Sequence, residues 1–141
     1  MARQKIPPAS QLDSNIISLV DALNLFKGIT TLGSCGGHLE PVPSQKPAGE
    51  WIVSFRLSSD DHGWRALEFL AWLVNNDSRR SGSKILLEPF SSPPHLNTPG
   101  HCLVFHLAGC EGEDPEEFAR VLLETKEQCY VRPSSRRKTS R

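Results

Sequence analysis

The sequence has no apolar run long enough to cross a bilayer. Its longest mainly apolar stretch, Trp64 to Val74, is broken by Arg65 and Glu68 and falls far short of the roughly 20 residues a span requires. The opening MARQKIPPASQ holds no apolar segment of signal-peptide length, so secretion is not indicated and a cytoplasmic location is the expectation. Paired cysteines are missing too: Cys35, Cys102, Cys110 and Cys129 are spaced by 67, 8 and 19 residues, with no CxxC. In a reducing compartment they read as free thiols, with Cys102 and Cys129 as small buried hydrophobes. No internal repeat is present, and the formal net charge is zero.

That zero conceals an uneven distribution. Five of the 16 basic residues (Arg132, Arg136, Arg137, Lys138 and Arg141) fall in the last ten positions, which leaves 11 against 16 acidic ones in residues 1–131. Seven acidic side chains lie between 111 and 127. The plain reading is a solvated helix face followed by a disordered basic tail. A sharper one is a tail that tracks phosphates with weak, salt-sensitive affinity.

At 141 residues and 38% hydrophobic content the chain suits one domain with a modest core. Residues 1–12, with Pro7 and Pro8, read as a flexible arm, 13–131 as a single domain and 132–141 as the basic tail. Asp13 or Ser14 can cap a first helix whose apolar positions Ile16, Leu19, Val20, Leu23 and Phe26 recur at helical spacing, ending at Lys27-Gly28. Ile29 to Leu32 is a short strand, and EWIVSFRL is a better one, with Trp51, Val53, Phe55 and Leu57 on a wholly apolar face. A second helix follows from Asp60 or Asp61, with Trp64, Leu67, Leu70, Ala71 and Val74 as its stripe, widened by Phe69, Trp72 and Leu73. DSRRSGS reads as a turn, KILLEPF and HCLVFHLAG as strands. Asp114, Pro115, Glu116 and Glu117 start a last helix. The order α-β-β-α-β-β-α points to an α+β fold, a small mainly antiparallel sheet with helices on one side.

One stretch looks equipped for chemistry: GITTLGSCGGHLEP, residues 28–41. Gly33, Gly36 and Gly37 free the backbone to approach a ligand, and successive N–H groups in such a turn can converge on an anion. Three chemistries compete. The first is a pocket in which Thr31, Ser34, Cys35, Gly36, Gly37 and His38 hold a polar or nucleotide-like small molecule, with Trp51 and His106 near it. The second is zinc, because Cys35 and His38 stand as C-x-x-H and His101, Cys102, His106 and Cys110 follow. At strand rise Cys102 and His106 lie about 13 Å apart, so the set reduces to Cys35, His38 and His101 with one open position. The third is a nucleophilic thiol at Cys35 with His38 or a strand histidine as base, for which the sequence names no orienting third group. Cys35 and His38 are therefore the catalytic candidates. Outside the turn, His62 and His95 read as surface residues, and the tryptophans as core. A different class of function, a non-catalytic interaction module, would use the acidic last helix and basic tail to engage a protein partner.

TTLGSCGGH, following a helix and a short linker, resembles the TTSSCSGR signature of the wybutosine-synthesis methyltransferase family (tRNA wybutosine-synthesizing protein 3). Thr30, Thr31, Ser34, Cys35 and Gly37 match signature positions, Gly33 and Gly36 replace serines, and His38 stands where the family has arginine. The resemblance implies an α+β fold, S-adenosylmethionine as cofactor, RNA as partner and an RNA-modification type of activity centred on this turn.

Overall fold

The computed structural model describes residues 13–43, 45–81, 84–90, 103–110 and 112–130. The expected arm and basic tail, together with His95, His101 and Cys102, lie outside these. The chain is α+β in the expected order. A 3-10 turn (Ser14–Ile16) leads into α1 (Ile17–Asn24), followed by β1 (Ile29–Cys35), β2 (Trp51–Leu57), α2 (Asp61–Ser81), β3 (Ile85–Pro89), β4 (Leu103–Gly109) and α3 (Pro115–Cys129). The four strands form one antiparallel sheet in the order β1-β2-β4-β3. No helix among the described residues is long and apolar enough to cross a membrane.

The alternation in β2 decides which face is covered. Trp51, Val53, Phe55 and Leu57 are all buried, whereas Ile52, Ser54 and Arg56 are not. The helices pack on the first set, and among the described residues the other face has no helical cover. Trp51 anchors this core: its indole Nε1 donates to the Glu113 carbonyl at 3.0 Å, its ring lies 6.3 Å from Phe118, and it covers Gly109 so closely that a Cβ there would stand 2.5 Å from the ring. Burying a side chain of this kind contributes on the order of 2–3 kcal/mol, before any cost of ordering it.

The helices depart from expectation in three ways. Helix α1 stops at Asn24 rather than Lys27-Gly28, because Leu25 and Phe26 turn away on short-range bonds to Ala22 and Leu23. Gly28 then allows the backbone of Gly63, in the first turn of α2, to pass against it. Helix α2 runs through residues 77–81, where DSRR reads locally as a turn. Its buried stripe is Ala66, Phe69, Leu70, Leu73 and Val74, while Trp64 and Trp72 are about half exposed, at 50% and 49%. The stripe is rotated from the expected one, so only one of the three tryptophans belongs to the core. Helix α3 starts as expected, with Pro115 in its first turn and the Asp114 carboxylate accepting the Glu116 N–H at 3.0 Å.

Candidate functional site

Strand β1 carries the candidate turn further into the sheet than its sequence suggests. Rather than ending at Leu32, the strand continues through Gly33, Ser34 and Cys35, with a bulge between Thr31 and Gly33. Thr31 faces Phe55, and after the extra residue Ser34 pairs with Val53 and Cys35 with Ile52. The irregularity therefore places Cys35 in the Ile52 row and Ser34 in the Val53 row. No side chain is needed at Gly33, where a Cβ would meet nothing within 4 Å.

Asp13 brings a carboxylate to Cys35 and His38. It occupies the N-cap position of the 3-10 turn, but its carboxylate makes no cap bond. Instead Oδ2 accepts the N–H of Gly36 at 2.8 Å and lies 3.2 Å from His38 Nε2. A carboxylate oxygen of Asp13, the Cys35 sulfur and a His38 ring nitrogen all fall within 4.8 Å of one another. Cys35 is buried, while the other two side chains are about one-third exposed. The Lys46 N–H points at the sulfur at 3.3 Å, and the His38 N–H donates to the Lys46 carbonyl at 2.9 Å. The loop after β1 thus folds back over its own thiol.

The glycines serve this folding-back. The Gly36 carbonyl accepts from Asn15 Nδ2 at 2.9 Å, and a Cβ at Gly36 would collide with that side chain. Gly37 has φ +97° and stands against the carbonyls of Glu50 and Pro47, which a Cβ would approach to 2.6 and 2.9 Å. The backbone freedom expected to admit a ligand is taken up by Asn15 and residues 47–50. The anion held by the Gly36 amide is the protein's own Asp13.

The other expected site residues scatter. Thr31 is buried, with its N–H and hydroxyl both bonded to Asn24 at the end of α1. The Ser34 hydroxyl is buried with no hydrogen-bond partner among the described residues. Trp51 does not line a pocket with the turn, because its indole is fully inserted in the core. His106 lies across the sheet, opposite Ser54, which itself pairs with Gly33. Its ring stacks on Phe90 at 4.5 Å. Cys110 is half-buried beside the Lys84 carbonyl.

Asp13 and Asn15 are the site residues that sequence reasoning misses. They precede Gly36, the residue both of them hold, by 23 and 21 positions, and an aspartate before a helical pattern reads first as a cap. The fold and the donors Asp13, Cys35 and His38 define a small α+β domain with a compact carboxylate–thiol–imidazole cluster among the described residues. The chain matches no family model, no curated protein and no solved structure, so the chemistry of that cluster is the ground for a functional reading.

Proposed function

We propose that the chain is a metal-binding domain that holds one divalent transition ion of the zinc class through Asp13, Cys35 and His38. A fourth coordination position is left for a water or an exogenous ligand. The observation that carries this reading is the convergence of the three donor atoms to within 4.8 Å. Zinc takes carboxylate oxygen, thiolate and imidazole at about 2.0–2.3 Å, and its tetrahedral shell places donors about 3.4–3.6 Å apart. Closing the cluster around an ion thus asks for movements of about an ångström. The set mixes one soft and two harder donors, which suits zinc or cobalt better than magnesium or calcium.

The surroundings support the same reading. The Gly36 N–H fixes the Asp13 carboxylate, the kind of outer contact that orients a ligand. The Lys46 N–H at the sulfur suits the charged thiolate a metal binds. Partial exposure of Asp13 and His38 leaves a route for the ion and for a fourth ligand. Three protein donors with an open position is also the arrangement of zinc sites that act on a bound molecule.

Cobalt(II) titration of metal-free protein tests the proposal. We expect one equivalent to give sulfur-to-cobalt charge-transfer absorption and tetrahedral visible bands, both displaced by zinc. Cys35→Ser should abolish the charge-transfer band, while Asp13→Asn and His38→Ala weaken binding at least tenfold. Failure of the unmodified protein to bind either ion near neutral pH would overturn the reading.

A further inference from the structure

We propose that the sheet face turned away from the helices binds single-stranded nucleic acid, with a base stacked on the Phe90–His106 pair and a backbone phosphate at Arg56. The site uses none of Asp13, Cys35 and His38 and stands whether or not that cluster holds an ion; Cys35, in the Ile52 row, shares the same sheet face on the side of Ser54 away from Arg56.

The proposal starts from a ring pair in which Phe90 is exposed and His106 half-buried. Phe90 follows β3, donates its N–H to Val104 at 2.7 Å and stacks on His106 with centroids 4.5 Å apart and planes 23° from parallel. Phe90 is 61% exposed. Two rings stacked on an open sheet offer a π-face to a third planar group, and unpaired bases use such platforms with little regard to sequence.

The polar side chains around the pair favour an anion. Ser54 lies opposite His106, and Arg56 lies opposite Val104, one diagonal step away, about 7 Å between Cβ atoms. Thr30 adjoins Arg56 on β1. None of the side chains of Thr30, Ser54, Arg56 and His106 has a hydrogen-bond or ion-pair partner among the described residues. A guanidinium left uncommitted beside hydroxyls and an aromatic stack is matched by a phosphate one nucleotide away from a stacked base. Glu88 is the one carboxylate in this group. It lies across His106 from Ser54, on the side away from Arg56, so the phosphate path runs toward β1. Among the described residues the surface is an open sheet, whereas small ligands are held in clefts that enclose most of their area. A polymer, which adds contacts along its length, fits it better than a free nucleotide.

Fluorescence anisotropy with a labelled twelve-nucleotide oligouridylate, in EDTA and 50 mM salt, tests the proposal without dependence on metal. We expect the single strand to bind, its duplex with oligoadenylate to bind at least tenfold more weakly, and affinity to fall with added salt. Phe90→Ala and Arg56→Gln, both at exposed positions, should each weaken binding about tenfold with unchanged circular dichroism. Amide chemical shifts should move at Ser54, Arg56 and His106. The proposal is overturned if the single strand does not bind, if either variant binds as the parent does, or if adenosine monophosphate binds as tightly as the oligomer. It is equally overturned if Arg136→Ser with Arg137→Ser removes all binding while the two face variants change nothing.

Discussion

Replacing Gly36 by alanine strikes the candidate cluster through packing alone. The new Cβ would occupy the place of the Asn15 side-chain amide, which donates to the Gly36 carbonyl across 21 positions of sequence. Overfilling a packed position costs roughly 1–3 kcal/mol, and losing the amide bond adds about 1 kcal/mol. Gly36→Ala should therefore lower stability by roughly 2–4 kcal/mol on these two contributions. Asn15→Ala alone forfeits the bond but opens space, and should cost about 1 kcal/mol. The informative protein is the double variant, in which the alanine at 36 grows into the space Asn15 vacates. Its loss should stay near 1–2 kcal/mol, below the sum of the single effects by 1 kcal/mol or more, as expected for residues in direct contact. Urea unfolding followed by the fluorescence of buried Trp51 measures all three. Strict additivity would refute the argument, because it would mean that the two sites do not share the same space.

Gly109→Ala drives a Cβ to 2.5 Å from the Trp51 ring, and should lower stability by roughly 1–3 kcal/mol with a change in Trp51 emission, measurable in the same unfolding experiment. Trp64→Gln and Trp72→Gln, at half-exposed positions of α2, should each change the thermal midpoint far less than Trp51→Gln does in differential scanning calorimetry. Asp60 accepts from the Ser58 hydroxyl and the Gly63 N–H, and these bonds hold its carboxyl below the usual carboxylate range. Since its folded pKa lies below its unfolded one, its stabilisation is present above about pH 4 and is lost as pH falls through the lowered value. Asp60→Asn should therefore narrow the gap in thermal midpoint between pH 7 and pH 3.

Local chemistry made most of the scaffold readable. The alternation of Trp51, Val53, Phe55 and Leu57 is strict, and Asp114-Pro115 carries its own start signal, so β2 and α3 emerge from short windows. The α2 stripe misleads because Trp64 and Trp72 repeat at helical spacing with true core residues, and periodicity alone does not say where a wide apolar arc is centred. The cluster was half legible: Cys35 and His38 stand three apart in a glycine-rich turn, whereas Asp13 joins them only through tertiary packing. The purpose of the glycines was opaque for the same reason. Adaptability toward a ligand and tolerance of a neighbouring side chain leave the same mark on a sequence.

The bulge in β1 makes that strand readable in two frames. From Ile29 to Thr31 odd positions belong to the core, and from Gly33 onward the parity reverses, so a single period of two assigns Ser34 and Cys35 to the wrong sides. Leu32 is the residue that shifts the frame. Removing it would regularise the ladder yet leave every later side chain on its present face. Forcing the strand straight with Leu32 retained would instead exchange the thiol for the hydroxyl. Whether a chain of this kind keeps its cysteine at the cluster therefore depends on Leu32 staying out of the ladder as a bulge, more than on the number of residues between Thr31 and Gly33.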